Sequence, residues 1–359
     1  MKIFALNSSA RTGSQSKTEL MLNYLVDGML KAGADVNVVN LREKNINNCT
    51  GCFSCMTKTP GKCVLKDDMT EELFPKWLES DLIIYATPLF HHTVNATMKT
   101  FIERTFPICE PFLLEKEGRW VHPLRKNHPG AVVLSVCGFP AMSAFSALAH
   151  YAEFLFEEQE KGRLWAQIYR PAAEFMYRNV EKQKEILNAT RQAGEELVET
   201  HRVSPETLSR IEQPLSDTLS DFAKITNCMW ETCITEGITK KKFETENLIP
   251  RPDSIETFML LMPMGFNPER AGSAKATLQF EFTGSVEGIC HLIISEGTIK
   301  AKEGKSKMPD LVIKTPFDVW MDIQTGKADG GQMFMEQKYT AEGDMDLLLN
   351  MSKFFLKED

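Results

Sequence analysis

The sequence lacks a long uninterrupted run of apolar residues. A helix that crosses a membrane needs about 18 of them, whereas the most apolar stretches, residues 82–90 and 258–266, are shorter and contain proline. The apolar run in the first residues, MKIFALNSSA, is also too short for a signal peptide, whose apolar core spans about 7–15 residues. We therefore expect a cytoplasmic protein without a membrane span.

The sequence also lacks an excess of positive charge. Its 359 residues include 41 Lys and Arg against 49 Asp and Glu, which gives a formal net charge of −8. Domains that bind nucleic acids usually carry a basic patch that pairs with phosphates, so we expect no nucleic-acid partner. Hydrophobic residues make up 43% of the chain and charged residues 25%, a composition that excludes a disordered protein.

Disulfide bonds are not expected, because the cytosol keeps thiols reduced. The nine cysteines are unevenly distributed, and Cys49, Cys52, Cys55 and Cys63 form a CxxCxxC pattern followed by a fourth cysteine. Three cysteines at this spacing can bind one side of an iron–sulfur cluster, and the fourth can complete it. Four thiolates also suit zinc, and a loop of reduced or redox-active thiols is the third interpretation.

The first 170 residues alternate short apolar runs with segments of helical spacing. Five runs have the length and composition of buried strands: residues 2–6, 36–41, 81–86, 131–136 and 164–169. Strands that alternate with helices indicate a parallel sheet covered on both faces. Ligands of such sheets bind beyond the carboxyl ends of the strands, so we expect the site in the loops after Leu6, Ala86 and Val136.

The loop after the first predicted strand is rich in hydroxyl groups and cations. It reads NSSARTGSQSKT and leads into a helix predicted over residues 16–31. The amino end of a helix favours an anion, and Arg11 adds guanidinium donors. The loop matches neither GxGxxG nor GxxxxGK[ST], so a phosphate site and a solvated helix cap are both consistent with it.

This loop, the cysteine segment up to residue 69 and the segment from Thr87 to Arg104 resemble the NADPH-dependent FMN reductase and iron–sulfur flavoprotein group. The resemblance covers about the first half of the chain, with Ser8 and Ala10 in place of a common glycine and proline. It implies an α/β, flavodoxin-like fold, a doubly wound parallel sheet of five strands. It also implies that the first loop binds the FMN phosphate through Ser9, Arg11, Gln15, Ser16, Lys17 and Thr18.

The resemblance implies that two further loops hold the flavin ring and ribityl chain. These are TPLFHHTVN after the third strand and CGFPA after the fourth, where His91 and His92 replace residues that are usually small. A [4Fe–4S] cluster at the four cysteines is implied too, and Asp67 and Asp68 are expected to cap the next helix. The implicated flavin residues are Thr87, Pro88, Leu89, Phe90, His91, Cys137 and Gly138.

The second half of the sequence has a different pattern of apolar and polar residues. Residues 174–236 have helical periodicity throughout, and a polar stretch then ends at Pro250 and Pro252. Beyond it, alternating segments such as TLQFEFT are joined by tight turns and predict an antiparallel sheet. The sequence thus predicts three parts: a flavodoxin-like domain at 1–200, a helical connector at 201–250 and a smaller α+β domain at 251–359.

The last part resembles the sterol carrier protein 2 (SCP2) family from residue 254 to 355. The segments TLQFEFTG, LIISEGTIKAKEG and MPDLVIKTPFDVWMDIQTGK carry the resemblance. It implies a five-stranded sheet and helices around an apolar cavity for a lipid-like ligand. Candidate lining residues are Phe258, Leu261, Met262, Trp320, Met321, Met333, Phe334 and Met335.

Together these features predict an FMN-dependent oxidoreductase fused to a domain that binds an apolar ligand. NAD(P)H or a protein would reduce the flavin, and a small molecule or a protein would accept the electrons. No side chain is expected to act as a catalytic nucleophile, and the resemblance implies a homo-oligomer. The alternative is a carrier or sensor of hydrophobic ligands, in which the flavodoxin-like half is a scaffold.

Overall fold

The computed structural model of the chain describes residues 1–116, 118–158, 162–215 and 218–355. The chain forms two units, Met1–Leu215 and Ser216–Asp359, each with its own sheet and apolar core. This division differs from the sequence-based boundaries at 200 and 250. No helix in the described part of the chain is both long enough and apolar enough to span a membrane.

The first unit contains a parallel sheet, a small hairpin and six α-helices within its described residues. In chain order these elements are β1 (Lys2–Asn7), α1 (Lys17–Lys31), β2 (Asp35–Asn40), α2 (Phe74–Glu79), β3 (Leu82–Pro88), α3 (Ala96–Glu103), β4 (Leu114–Lys116), β5 (Arg119–Val121), β6 (Gly130–Val136), α4 (Ser146–Glu153), β7 (Leu164–Arg170), α5 (Val180–Thr200) and α6 (Pro205–Glu212).

The main sheet of the first unit has the strand order β2-β1-β3-β6-β7, and all its neighbouring strands are parallel. This is the flavodoxin-like order, in which the chain reverses its direction of winding between β1 and β3. The expected five-stranded α/β fold is confirmed. The central strands β3 and β6 are buried on both faces, which explains their continuous apolar sequences.

Alternate residues of each strand pack into two different cores, because successive side chains in a strand point to opposite faces. Ile3 and Ala5 of β1 face α1 and α5, whereas Phe4 and Leu6 face the layer that includes α2, α3 and α4. The short hairpin of β4 and β5 lies outside this sheet. The sequence did not predict it, since its residues are almost all exposed and show no apolar alternation.

Helices α1 and α5 touch backbone to backbone. A methyl group on Gly28 would lie 1.8 Å from the Arg191 carbonyl oxygen, and one on Gly194 would lie 2.0 Å from the Leu25 carbonyl oxygen. Only glycine leaves room for such an approach. Arg191 also reaches across the contact to pair with Asp27. The contact joins the first and fifth helices of the unit into one layer.

The second unit has a smaller sheet and a set of mostly short helices. Its elements are α7 (Leu219–Thr235), α8 (Lys240–Thr245), α9 (Ile255–Met264), α10 (Pro268–Ala271), β8 (Lys275–Thr283), β9 (Gly288–Ser295), β10 (Thr298–Glu303), β11 (Leu311–Pro316), α11 (Phe317–Gln324), α12 (Gly330–Met335), β12 (Thr340–Gly343) and α13 (Met345–Asn350).

The second sheet has the order β10-β9-β8-β11-β12 and is mixed. Three of its strand pairs are antiparallel, but β8 and β11 are parallel. The expectation of a purely antiparallel sheet was therefore wrong. After β10 the chain crosses to the far side of β8 and pairs with it in the same direction, and the tight turns visible in the sequence do not reveal this crossover. The expected α+β character is confirmed.

Replacing Gly194 with alanine is expected to lower the free energy of unfolding of the first unit by about 1–3 kcal/mol, because the methyl group overpacks the contact. This figure is the net loss that remains after the gain of about 1 kcal/mol that alanine brings to a helix. Urea unfolding followed by circular dichroism measures the change. The matched control is Glu199→Ala, at an exposed position of α5, with an expected change below about 0.5 kcal/mol. Equal stability of the two variants would contradict the close contact.

Candidate functional site

Three loops meet at the carboxyl edge of the first sheet, as expected from the parallel topology. The Asn95 side chain joins two of them, since its Nδ2 donates to the Ser8 carbonyl oxygen at 2.7 Å while its Oδ1 caps α3. The Leu89 N–H donates to the Val136 carbonyl oxygen at 3.0 Å. The loops after β1, β3 and β6 are thus held together by direct hydrogen bonds.

The first loop is tied together by its own hydroxyl groups. Ser16 caps α1 by accepting from the Glu19 N–H at 3.1 Å, and its hydroxyl also donates to the Ser9 hydroxyl at 2.9 Å. Ser9 in turn accepts from the Arg11 N–H at 3.2 Å. Ser9 and Ser16 are both buried, as is Thr18 in the first turn of α1. Two of the predicted hydroxyls therefore meet at the amino end of a 15-residue helix, the feature that favours an anion.

Two charged residues at this loop, Glu174 and Arg42, were missed by the sequence analysis. The Arg11 guanidinium donates to Glu174 at 2.7 Å, and Glu174 lies in the turn after β7. Arg42, which follows β2, approaches the Ser9 carbonyl oxygen at 3.5 Å and the Glu19 carboxylate at 3.4 Å. Glu174 and Arg42 follow strands β7 and β2, so both lie at the carboxyl edge of the sheet. This position directly after a strand was the signal in the sequence that could have identified them.

The second loop contains a tight turn at Phe90–Thr93. Phe90 and Thr93 exchange two backbone hydrogen bonds of 3.0 and 3.1 Å, and the two central residues, His91 and His92, have φ values of 46° and 63°. Two successive left-handed residues define a type I′ turn, for which glycine and asparagine are the usual choices. Non-glycine residues in this region store backbone strain and cluster at functional sites.

An exposed aromatic surface lies beside this turn. The His92 ring stacks on Phe139 of the third loop, with ring centroids 5.9 Å apart, and its Nδ1 lies 3.1 Å from the Ala144 carbonyl oxygen. Phe90 and Phe139 are both more than half exposed. Large exposed apolar side chains next to polar loops are the surface that a flat, partly apolar ligand requires.

The remaining candidates of the second and third loops are mostly engaged in holding the loops. The Thr87 hydroxyl accepts from the Asn95 N–H at 3.2 Å. Burial raises the pKa of Cys137 to about 11, so its thiol stays protonated at neutral pH and is not a nucleophile. Gly138 is exposed and faces the Glu174 side chain.

The three cysteines of the CxxCxxC segment and Cys63 line one small cavity, together with apolar side chains that include Phe53, Val64, Leu65 and Phe106. Hydrogen bonds with Ser54 and then Thr50 lower the pKa of Cys52 to about 7. Burial raises the pKa of Cys55, and the nearby thiols, Cys63 first, raise it further. Nowhere in the described chain do three His, Cys, Asp or Glu side chains form a group suited to a single metal ion. Four thiols around a shared apolar space are a donor set that suits a cluster.

A larger cavity of about 860 Å³ borders the cysteine segment, since Cys49 and Gly51 line both spaces. Its walls are mainly apolar and aromatic, and include Trp77, Tyr85 and Tyr151. Polar side chains line it as well, among them Lys99, His128 and Arg163. A concave, mainly apolar space of this volume is typical of a site for a small organic molecule.

A buried ion pair holds the cysteine segment against α3. Arg104 and Asp67 are almost fully buried and form two hydrogen bonds of 2.6 and 3.0 Å. Burial raises the pKa of Asp67, but Arg104 and the backbone N–H groups of Asn47 and Thr70 outweigh it and hold that pKa well below its usual range. The Arg104 guanidinium also interacts with Cys63.

This arrangement corrects the expected capping role of the two aspartates. Asp67 does accept from the Thr70 N–H at 3.2 Å, as a cap would, but its main partner is Arg104. The Asp68 carboxylate accepts from the Asn45 N–H at 2.7 Å and makes no side-chain capping bond to the helix. The spacing of residues 67 and 104 in the sequence gives no sign of their pairing.

The second unit contains a separate cavity of about 540 Å³. Four of the residues predicted to line a cavity do so: Leu261, Met262, Trp320 and Phe334. Phe258 and Met321 instead fill the buried core, Met333 packs against that core without lining the cavity, and Met335 is 78% exposed. The remaining walls come mainly from the segment 249–252 and from the last helical segments, with Met345, Leu348, Leu349 and Phe355 among them.

Comparison with known families separates the same two halves of the chain. Residues 1–153 match the NADPH-dependent FMN reductase family. Residues 266–356 match the SCP-2 sterol transfer family. Both resemblances stated from the sequence are therefore confirmed, each for its own half of the chain.

Several curated relatives match the FMN-reductase-like half. An iron-sulfur flavoprotein of Archaeoglobus fulgidus is 41% identical over 102 residues, which are 28% of this chain and 44% of that protein. One from Methanocaldococcus jannaschii is 33% identical over 29% of this chain and 50% of that protein. An FMN-dependent NADH:quinone oxidoreductase of Pelagibacter ubique is 26% identical over 43% of this chain and 81% of that protein. The chain spans about half the length of the iron-sulfur flavoproteins that it matches.

Among solved structures, an azoreductase from Bacillus anthracis aligns with a TM-score of 0.42 and 13% identity, covering 55% of this chain and 98% of that one. An NAD(P)H:quinone oxidoreductase from Methanothermobacter marburgensis aligns with a TM-score of 0.41 and 17% identity, covering 55% and 96%.

Replacing Asp67 with asparagine is expected to lower the free energy of unfolding by about 3–5 kcal/mol, because Arg104 is left buried without its counterion. The neighbouring Asp68→Asn is the control, with an expected loss of about 0.5–1.5 kcal/mol, because its hydrogen bond from the Asn45 N–H changes from charge-assisted to neutral. Denaturant titration at neutral pH compares them, and similar losses in both would argue against a special role of the pair.

The effect of Asp67→Asn should also depend on pH. Because the folded-state pKa of Asp67 is depressed, its carboxylate contributes its full stability above the ordinary aspartate pKa of about 3.9. The difference between wild type and variant therefore shrinks only as the pH falls from that value toward the folded-state pKa. Unfolding curves recorded across the acidic range measure this window.

Proposed function

We propose that the first unit binds FMN and acts as a flavin-dependent oxidoreductase with NAD(P)H as reductant. The observation that carries this proposal is the meeting of the loops after β1, β3 and β6 at the point where the winding of the sheet reverses. Asn95 joins the first two loops, and the Leu89–Val136 hydrogen bond joins the third. Flavodoxin-like sheets bind FMN at this switch point. The match of residues 1–153 to FMN reductases supports the same ligand.

The phosphate of FMN is assigned to the first loop. The backbone N–H groups ahead of α1 and the Arg11 guanidinium are its donors, with Gln15, Lys17 and Thr18 alongside. The Ser9 and Ser16 hydroxyls, which donate to the Arg11 carbonyl oxygen and to Ser9, hold the shape of the loop around it. Arg42 adds a second guanidinium at the same loop. Because Arg11 is paired with Glu174, a phosphate must compete with that carboxylate, so the pair sets the affinity of the loop for anions.

The flavin ring is assigned to the second and third loops. Leu89, Phe90 and Phe139 offer apolar contact, and the fixed turn at His91 and His92 presents backbone groups to the polar edge of the ring. Thr87, Pro88, Cys137 and Gly138 complete the two loops. When bound, FMN supplies the hydride and one-electron chemistry, and these side chains bind and orient it. No protein nucleophile is required.

The four cysteines are assigned to an iron–sulfur cluster. Their convergence on one apolar cavity supports this, as does the similarity to iron-sulfur flavoproteins. Such a cluster exchanges single electrons with a protein or small-molecule partner. Arg104, anchored by Asp67, keeps a positive charge beside Cys63. A homo-oligomer stays a prediction from the family resemblance.

The second unit is proposed to bind an apolar molecule in its 540 Å³ cavity. The match to the sterol transfer family supports this, and so do the methionine, leucine and phenylalanine side chains of the walls. A volume between about 300 and 1,000 Å³ is typical of sites for small molecules. In the purified full chain, displacement of a fluorescent fatty acyl probe by unlabelled apolar molecules tests this role.

Absorbance of the purified protein and titration with FMN test the flavin assignment. We expect bound flavin, or its uptake on titration, in the full chain. Absence of both would favour the alternative of a hydrophobic-ligand carrier with a flavodoxin-like scaffold. Metal analysis of protein prepared without oxygen should find about four irons per chain. Iron and zinc both near zero would leave free thiols as the interpretation of the cysteine segment.

Arg11→Ala is expected to weaken FMN binding about tenfold or more, because a charged hydrogen-bond donor to the phosphate is lost. Binding of riboflavin, which lacks the phosphate, should not change. Glu174→Gln is the matched opposite variant. It frees Arg11 from its counterion and should strengthen FMN binding severalfold. Fluorescence titration with both flavins measures these effects, and equal changes for FMN and riboflavin would show that Arg11 does not contact the phosphate.

A further inference from the structure

The cavity of about 860 Å³ in the first unit is not used by the proposed flavin site. Its walls come mainly from α3, from residues 105–109, from residues 114–124 around the small hairpin and from residues 151–156. None of the described residues that line it belongs to the loops after β1, β3 and β6. It is therefore a second concave space of this unit, of a volume typical of sites for small molecules.

One wall of this cavity is fixed by backbone pairing. The Glu110 N–H donates to the Pro123 carbonyl oxygen at 2.8 Å, and Cys109 and Leu124 form an antiparallel bridge. Cys109, Pro123 and Leu124 all line the cavity. Because the main chain itself holds this wall, the cavity does not need a ligand to form, as is usual for small-molecule sites.

Aromatic rings form the most buried part of the lining. Tyr85 and Phe156 stack with ring centroids 4.8 Å apart, and the Trp77 indole N–H donates to the Tyr85 hydroxyl at 2.9 Å. This donor is thus satisfied within the wall, and the rings offer apolar surface to the cavity. Nearer to solvent, Tyr151 is half-buried and Phe154 is 49% exposed. Such a lining favours a flat aromatic molecule, because aromatic pairs gain more than their buried area alone provides.

The charged groups around the cavity are mainly positive. Lys99, Lys116 and Arg163 line it, whereas Glu103 is the only carboxylate among the described lining residues and is paired with Lys99 at 2.7 Å. Burial, and then the charge of Arg163, lowers the pKa of His128 to about 3, so this ring is neutral. A cationic ligand would lose its hydration and face the charge of the Arg163 guanidinium, which is 7% exposed.

We propose that this cavity binds a planar aromatic molecule without positive charge, as a second organic-ligand site of the first unit. The buried rings select a flat shape, and the excess of cations disfavours a positively charged ligand. Cys49 and Gly51 line both this cavity and the smaller one of the cysteine segment, so the occupant covers one side of that segment. The proposal does not depend on the flavin assignment, because the flavin loops do not contribute to these walls.

Filling the cavity with a larger side chain tests whether it is the site. Leu124→Trp places an indole in the space and should remove one binding site per chain for the neutral dye N-phenylnaphthylamine. The matched control is Leu113→Trp, because Leu113 is 61% exposed and does not line the cavity. Equilibrium dialysis of the full chain with excess FMN, which competes for the proposed flavin site, measures the bound dye. Equal binding of dye by the two variants would overturn the proposal.

The class of ligand is read from the site that Leu124→Trp removes. At this site the sulfonate of the same dye should bind, whereas proflavine, a flat cation, should bind about tenfold or more weakly. Naphthol should displace the dye roughly two- to tenfold more effectively than decahydronaphthol, its saturated analogue, because aromatic contacts are lost. Proflavine binding as tightly as the neutral dye, or equal displacement by the two alcohols, would contradict the proposed class.

Photo-crosslinking locates the ligand without any variant. Azidonaphthalene irradiated with the full chain and excess FMN should label residues within 102–109, 121–124 or 151–156, which mass spectrometry of peptides identifies. Labels confined to the flavin loops or to the second unit would overturn the inference and leave the proposed functions of both units intact.

Discussion

A single asparagine side chain sets the geometry of the candidate flavin site. Asn95 caps α3 with its amide oxygen and donates from its amide nitrogen to the Ser8 carbonyl oxygen. It thereby fixes the loop after β3 against the loop after β1, at the place where the winding of the sheet reverses. Further contacts join the same loops: the Ser8 N–H donates to the Ala86 carbonyl oxygen at 2.9 Å, the Leu89 N–H donates to the Val136 carbonyl oxygen at 3.0 Å, and the His92 ring stacks on Phe139.

The Arg104–Asp67 pair plays the corresponding role for the cysteine segment. This segment has little regular secondary structure, so its position must come from side chains. The pair connects it to α3, and two further bonds from Arg104, to the Asn47 carbonyl oxygen at 2.6 Å and the Thr70 hydroxyl at 3.0 Å, extend the connection on both sides. A buried charge pair costs desolvation, and here it positions four thiols beside a rigid helix.

The sequence predicted the elements of the first sheet well, because buried parallel strands are continuously apolar and their helices are amphipathic. It also identified the three loops, since topology places them at one edge. It could not predict that Arg11 pairs with Glu174, a residue 163 positions away, because no local pattern encodes such a contact. For the same reason it missed Arg42, the parallel pairing of β8 with β11, and the exposed hairpin of β4 and β5.

The cavity of the second unit shows another limit of prediction from the sequence. Composition indicated a site rich in methionine and aromatic residues, but periodicity cannot tell a residue that fills the core from one that lines a space next to it. Phe258 and Trp320 are both buried, and only Trp320 borders the cavity. The charge around the space, which among the described lining residues is that of Asp329 alone, emerges only when residues from 249 to 355 are brought together.

The backbone contact between α1 and α5 affects when the first unit can fold during its synthesis. Half of the first core is closed by α5, whose Gly194 meets Leu25 and whose partner helix is the first to be synthesised. Until residue 194 has left the ribosome, one face of the sheet has no complete cover, and its apolar side chains stay open to water and to other chains. Contacts between such distant parts of a sequence form late and slow the folding of the domain. The unit is therefore most exposed to aggregation while its chain is still being completed.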